Sequence, residues 1–167
     1  MKGKAHRFGD DVNTDYIIAG RYKFKTLDMD ELACHVMEDL DPDFCNRLEK
    51  GDFVVAGRNF GCGSSREQAP LALKHAGVAA VIADSFARIY FRNSINDGLP
   101  ALVCDTSEIE EGDELELDLE KGVVTNLSRG QEIGCDPLPE VMLDILNEGG
   151  LIPYMKDHGG FSIEVKE

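Results

Sequence analysis

Between residues 53 and 104 the chain alternates short apolar runs with longer stretches of helical periodicity, and few architectures accommodate that pattern. Phe53 to Ala56, Val78 to Ala83 and Leu99 to Cys104 are runs of four to six largely apolar residues, the texture of strands buried on both faces. After residue 66, Leu71 and Leu73 begin one helical pattern. Phe86, Ile89, Tyr90 and Ile95 mark a second as candidate core residues, with Ser85 as its expected cap and Asp97-Gly98 as its stop. Strands separated by helices pair in parallel, because the crossover returns the chain to the same end of the sheet. The expected fold is therefore α/β, a mostly parallel sheet flanked by helices.

The flanks add to this frame. Residues 2 to 9 predict a first strand, followed by the turn-rich Gly9 to Asp15 and the apolar pair Ile17-Ile18. Asp28 to Leu40 carries Leu32, Val36, Met37 and Leu40 at helical spacing and stops before Pro42. Beyond residue 104 the texture changes: Glu114 to Glu120 alternates strictly, and Lys121-Gly122 turns it into Val123-Val124-Thr125, an antiparallel appendage. Pro139 opens a late helix with Val141, Met142, Ile145 and Leu146, closed by Gly149-Gly150, and a short helix over Ile152 to Lys156 follows. With no repeat, linker or low-complexity segment, residues 1–167 read as a single domain.

Composition restricts the partners. The 32 acidic and 17 basic side chains give a net charge of -15, which opposes binding to nucleic acid or anionic lipid. An anionic substrate would need a local basic site or a partner that supplies one. The run Asp105 to Glu120 holds nine acids and no base, expected to be a solvated face. No run is long enough to span a membrane, and MKGKAHRFGDD lacks the apolar stretch of a signal peptide, so the expected location is cytoplasmic. The five cysteines are odd in number and include no Cys-x-x-Cys pair. That spacing argues against a disulfide framework, a zinc knuckle or an iron-sulfur ligand run, and the scattered histidines add no metal site.

Chemistry concentrates at residues 57 to 70, GRNFGCGSSREQAP, between the strand at 53 and the helix after 66. Gly61-Cys62-Gly63-Ser64-Ser65-Arg66 has arginine where a dinucleotide fingerprint needs its third glycine, and it lacks both the Gly-Lys of a phosphate loop and the second glycine of a nucleophile elbow. Ser64-Ser65-Arg66-Glu67 also reads as a capping box. Pro70 disfavours a helix starting at Ser64, since its ring would crowd the carbonyl of Arg66. A later start leaves Ser64, Ser65 and Arg66 in the turn. There, backbone N–H groups and a guanidinium suit a carboxylate, and a serine can act as a base if its alkoxide is held by such donors.

This junction closely resembles the signature of the small subunits of 3-isopropylmalate dehydratases and of the related swivel domain of aconitases. Phe8-Gly9-Asp10-Asp11-Val12-Asn13-Thr14-Asp15-Tyr16-Ile17-Ile18 and Ser85-Phe86-Ala87-Arg88-Ile89-Tyr90-Phe91-Arg92-Asn93 agree as well, so the resemblance covers essentially the whole chain. It implies a swivelling β/β/α domain that works with a separate large subunit carrying a four-iron four-sulfur cluster, with none bound by this chain. The implied reaction is reversible dehydration and rehydration of a small hydroxy dicarboxylate, moving its hydroxyl. Ser64 would be the general base. Ser65 and Arg66 would hold the carboxylate beside the reacting carbon, and Asp15 would belong to the active-site hydrogen-bond network.

In relatives, the loop matching Gly20 to Thr26 reads the variable end of the substrate, and the discriminating position falls on Phe24. An aromatic side chain there favours an isopropyl or methyl group over a third carboxylate. Lys23 and Lys25 flank it and would meet a carboxylate if the register differed by one; Phe24 could equally be core. The implied activity is interconversion of 2- and 3-isopropylmalate in leucine biosynthesis. The alternatives are a relative acting on homoaconitate, citraconate, methylmalate or dimethylmalate, or a non-catalytic binding protein with this fold. Whether the isolated chain self-associates is left open.

Overall fold

The computed structural model describes residues 1–159, and of Lys23 only the backbone. Strand β1 (Lys2–Arg7) lies at the middle of a seven-stranded sheet. On one side it leads into the parallel strands β2 (Phe53–Ala56), β3 (Ala80–Ala83) and β4 (Ala101–Val103). On the other it pairs antiparallel with β5 (Glu114–Asp118), followed by β6 (Val123–Asn126) and β7 (Gln131–Gly134). The two halves use different parts of β1. Ala5 to Arg7 face Phe53 to Val55, whereas Lys2 to Lys4 face Glu116 to Glu114.

The sheet curls until its ends meet. Cys104, just past β4, opposes Cys135, just past β7, in an antiparallel bridge, and the Asp136 N–H donates to the Val103 carbonyl at 2.8 Å. Curling creates two cores. Phe53, Val55, Ala80, Ile82 and Leu102 point inward and pack with Ala5, Ile109, Leu115, Leu117 and Val124. Val54, Ala56, Val81 and Ala83 point outward under the helices, with Ile17, Ile18, Leu32, Phe44 and Leu73. Strands covered on both faces need continuous apolar sequence, and β2 and β3 have it. β5 is covered on one face, so Leu115 and Leu117 are buried and Glu114 and Glu116 exposed.

The helical layer comprises α1 (Thr14–Ile17), α2 (Gly20–Lys23), α3 (Met29–Ala33), α4 (Phe44–Arg47) and α5 (Gln68–Ala76), with α3 packed on α5. Helix α3 is shorter than the periodicity over 28 to 40 predicts. Met37 is fully buried with φ +60, and its N–H donates to the Ile17 carbonyl at 2.9 Å. That left-handed residue ends any helix, so Leu40 is exposed rather than core. Helices α6 (Arg88–Asn96), α7 (Glu140–Asn147) and α8 (Leu151–His158) share a third cluster of Ile95, Ile145, Leu146 and Tyr154.

Ser85 does not cap α6. Ala87 occupies the cap position without a side-chain bond, while Ser85 Oγ accepts the Asn59 N–H at 2.8 Å, tying two loops together. Ile89, an expected core residue, is exposed. Strand β7 was not legible, since Gln131-Glu132-Ile133-Gly134 lies on the sheet's end with only Ile133 half-buried. Nor is the acidic run wholly a solvated face. Asp113 is buried and accepts from Asn126 Nδ2 at 2.7 Å and Arg129 Nε at 2.9 Å.

Candidate active site

Three segments converge beyond the carboxyl ends of β1, β2 and β3, where parallel α/β sheets present their sites. The Asp11 N–H donates to the Arg58 carbonyl, the Gly61 N–H to Val12 and the Thr14 N–H to Cys62, each at 2.8 Å. Asn59 Nδ2 reaches Asp11 Oδ1, also at 2.8 Å. From the other side the Phe60 N–H donates to Ser85 at 3.0 Å and the Ala87 N–H returns to Phe60 at 2.9 Å. The glycine-rich junction is thus laced between the two other segments that carry the family resemblance.

Two glycines are forced by this lacing. Gly61 has φ +79, and a Cβ there would lie 2.1 Å from the Tyr90 ring. Gly63 has φ +92, and its Cβ would meet Asn13 Oδ1 at 2.5 Å. Only glycine combines that backbone with so close an approach. Tyr90 is itself wedged edge-on to Phe60, with centroids 5.1 Å apart, and lies parallel to Phe86. Its burial pushes the phenol above its ordinary range, so it stays neutral.

Helix α5 begins only at Gln68; Glu67 stands at the cap with no side-chain bond, so the capping-box reading fails. Pro70 is the third helical residue, in the first turn, where no N–H is required. Ser64 and Ser65 are exposed in the turn, and Thr14 Oγ1 fixes the backbone by donating to the Ser64 carbonyl at 2.8 Å. Arg66 folds back. Its side chain is only 14% exposed, it meets Asp15 Oδ1 at 2.5 Å, it donates to the Ile18 carbonyl at 2.8 Å, and its Nε lies 3.4 Å from Ser64 Oγ. Asp15 is held in turn by α1, whose cap Asn13 accepts the Asp15 N–H at 2.9 Å.

Ser64, Ser65 and Arg66 line a pocket of about 320 Å³ together with Arg88, Tyr90 and Asn93 of α6, within the usual range for small-ligand sites. Sequence reasoning placed the first three here and missed the last three, although all lie in the quoted 85–93 segment. Cys62 sits beside the pocket as small filler. Burial, aided by Asp11, pushes its thiol up and keeps it protonated.

Phe24 lies outside the pocket lining yet close to Arg66. From the point a Gly20 Cβ would occupy, Phe24 Cε2 is 3.7 Å away and Arg66 NH2 is 3.5 Å away. Phe24 is 86% exposed, which removes the core reading. Its loop is clamped from behind: Tyr22 stacks on His35 at 3.8 Å, and Arg21 lies 4.7 Å over the Tyr22 ring while pairing with Asp39 at 2.6 Å. Lys25 is exposed and does not line the pocket; the Lys23 side chain lies outside the described residues. Among the described residues no three His, Cys, Asp or Glu side chains converge as a metal site would require. No helix among them is long and apolar enough to cross a membrane.

A laced glycine turn presenting serine and arginine at the mouth of a parallel sheet defines a class, and residues 29–106 match the aconitase C-terminal domain family. The chain is 61% identical over 163 residues to 3-isopropylmalate dehydratase small subunit 2 of Archaeoglobus fulgidus, covering 98% of this chain and 99% of that one. It is 55% identical over 154 residues to the methanogen homoaconitase small subunit of Methanothermobacter thermautotrophicus, covering 92% and 89%. The crystal structure of 3-isopropylmalate dehydratase from Methanocaldococcus jannaschii superposes with a TM-score of 0.91 at 48% identity, covering 95% of this chain and 94% of that one. The chain belongs to the family of 3-isopropylmalate dehydratase small subunits, within the aconitase superfamily.

Proposed function

We propose that this chain is the small subunit of a heteromeric hydro-lyase that interconverts 2-isopropylmalate and 3-isopropylmalate in leucine biosynthesis. The observation that carries this reading is Ser64, exposed in an anion-suited pocket with its Oγ 3.4 Å from the Arg66 guanidinium. In this reading Ser64 takes the proton from the carbon beside a carboxylate. Removing it requires a serine oxygen far more basic than a free hydroxyl, and the adjacent guanidinium stabilises the alkoxide. Ser65 and Arg66 bind that carboxylate, whose developing carbanion they also stabilise. Asp15 keeps Arg66 from swinging into solvent. The departing hydroxide needs a Lewis acid, which a four-iron four-sulfur cluster on the large subunit would supply.

The partner is therefore a large iron-sulfur subunit, and activity requires both chains, acting in the cytoplasm. Phe24 beside Arg66 supports a substrate with an apolar branch next to the bound carboxylate. The homoaconitate reading draws on the name of the Methanothermobacter thermautotrophicus relative and on the lysines flanking Phe24, but Phe24 itself offers no charge for a third carboxylate.

The test is Ser64→Ala reconstituted anaerobically with the large subunit. Assembly should be normal and turnover of 3-isopropylmalate should fall by about two to four orders of magnitude. Near-normal turnover would remove Ser64 from the base role.

A further inference from the structure

We propose that Cys104 and Cys135 are a redox-active pair, oxidised by a small cationic disulfide to an intrachain bond that fastens the two ends of the curled sheet together. All five thiols are free, and their spacing along the chain suggests no pair. The fold supplies one. Cys104 and Cys135 stand opposite each other in the antiparallel bridge just past β4 and β7, and the surrounding hydrogen bonds fix what kind of position this is. The Asp136 N–H crosses to the Val103 carbonyl at 2.8 Å, while the Cys104 N–H goes to Ala83 at 3.1 Å and the Cys135 N–H to Gly122 at 2.8 Å. Neither cysteine amide bonds to the other cysteine. Opposed residues of this non-hydrogen-bonded type have Cα atoms roughly 4.5 Å apart and side chains on the same face. A disulfide spans that separation without backbone movement.

The other three cysteines are placed differently. Cys34 donates to the Asp30 carbonyl, Cys45 donates to the Ala33 and Val36 carbonyls, and Cys62 is bridged to Asn13. Within the pair, access and reactivity are divided. Cys104 is 7% exposed and belongs to the inner core, whereas Cys135 is half-buried at its rim. The Cys104 S–H donates to the Cys135 sulfur. That bond holds the Cys135 thiol below its ordinary value, with burial and Asp136 opposing, and the same bond together with burial pushes Cys104 up. Cys135 is thus the nucleophile and Cys104 the resolving thiol. Their chain neighbours Asp105 and Gly134 line an open groove of about 440 Å³ that also carries Glu108 and Glu132 and no basic side chain. Such a groove draws in a cationic disulfide and repels an anionic one.

Oxidation proceeds by two exchanges. The Cys135 thiolate attacks one sulfur of RS–SR; a Cys135–SR bond forms, the RS–SR bond breaks, and the departing RS⁻ takes up the proton that Cys135 gave up. The Cys104 sulfur then attacks the Cys135 sulfur and expels the second RS⁻, which takes up the Cys104 proton. Two protein S–H groups and one small disulfide become one protein disulfide and two RSH. The new bond constrains the unfolded chain between residues 104 and 135 and leaves the folded seam as it is, so it stabilises the protein. Neither cysteine lines the pocket of Ser64 and Arg66, and the pair stands apart from the proposed reaction.

The experiment uses the full-length chain, reduced and freed of dithiothreitol, with cystamine as the disulfide. Non-reducing digestion and mass spectrometry should find the peptides of Cys104 and Cys135 joined with loss of two hydrogens. Tm should rise by about 5–10 °C over the reduced chain, and dithiothreitol should reverse both changes. Cys104→Ser should stop at a mixed disulfide on Cys135, and Cys135→Ser should leave Cys104 unmodified; the wild-type peptide map decides the matter even if a variant does not fold. A bond between other cysteines such as Cys34 and Cys45, a mixed disulfide that persists on wild-type Cys135, or a 104–135 bond that lowers Tm would each overturn the proposal.

Discussion

Arg66 and Asp15 meet at 2.5 Å across the seam between the glycine-rich turn and the first helix, and the pair is buried on one side only: 14% exposure for the arginine side chain, 56% for the aspartate. A half-exposed pair of this kind contributes little to folding and much to where the guanidinium points.

Asp15→Asn should therefore separate the two effects. Stability should change by no more than about 1 kcal/mol. Turnover of the reconstituted enzyme should fall about 10- to 100-fold, because a guanidinium released from its anchor misplaces the carboxylate it holds. Urea denaturation of the chain and steady-state assays of the complex read the two quantities; a large loss of stability with unchanged turnover would refute the positioning role.

Gly61→Ala should cost about 2–4 kcal/mol, because backbone strain and overpacking add. Its φ of +79 and the Tyr90 ring 2.1 Å from the new Cβ both oppose the change. Gly112→Ala is the control: φ is +82 but nothing lies within 4 Å of the Cβ, so only the strain, about 1–2 kcal/mol, should appear. Equal losses at both positions would show that Tyr90 does not define the turn.

One buried and one half-buried carboxylate, Asp52 and Asp97, should give opposite pH dependences. Burial by itself would raise Asp52, but hydrogen bonds from His6 and from the Lys4 and Glu49 N–H groups outweigh it and hold Asp52 below its ordinary value. Its stabilisation is thus present above the ordinary carboxylate pKa and lost as pH falls through the lowered one. Asp97 is pushed up to about 6, chiefly by burial and further by Glu67, with Lys74 opposing. Its Oδ2 has no hydrogen-bond partner. The folded state binds that proton more tightly, so this term weakens stability as pH rises from about 4 to about 6. Asp97→Asn should raise Tm at pH 7.5, by roughly 2–4 °C per kcal/mol of relief for a chain of this size, and by less at pH 4.5. Calorimetry at the two pH values checks it; a Tm gain larger at pH 4.5 would reverse the assignment.

Phe24→Arg should shift preference from isopropylmalate toward homoaconitate, since an arginine near Arg66 could meet a third carboxylate and would crowd an isopropyl group. The ratio of kcat/KM values is the measure, and a change of about 10-fold or more is expected. An unchanged ratio would show that the Gly20 to Thr26 loop does not read the variable end.

Much of this protein was legible in its residues because the relevant signals are local. The apolar runs of β2 and β3 reported burial on both faces, and the alternation of Glu114 to Asp118 reported burial on one. Pro70 argued against a helix starting at Ser64 without settling the capping-box reading, and only the start of α5 at Gln68 places Ser64, Ser65 and Arg66 before the helix. Positions that depend on distant partners were not legible. Met37 ends a helical pattern because Ile17 binds its N–H, and Ser85 serves Asn59 instead of α6. The curl that brings Cys104 to Cys135 depends on sheet twist accumulated over seven strands. The pocket shows the same division. Its serines and Arg66 lie on one contiguous stretch whose chemistry a sequence displays, whereas Arg88, Tyr90 and Asn93 join them only because α6 is packed against the turn. Periodicity and residue type are properties of neighbours in the chain; which side chains share a pocket is a property of neighbours in space.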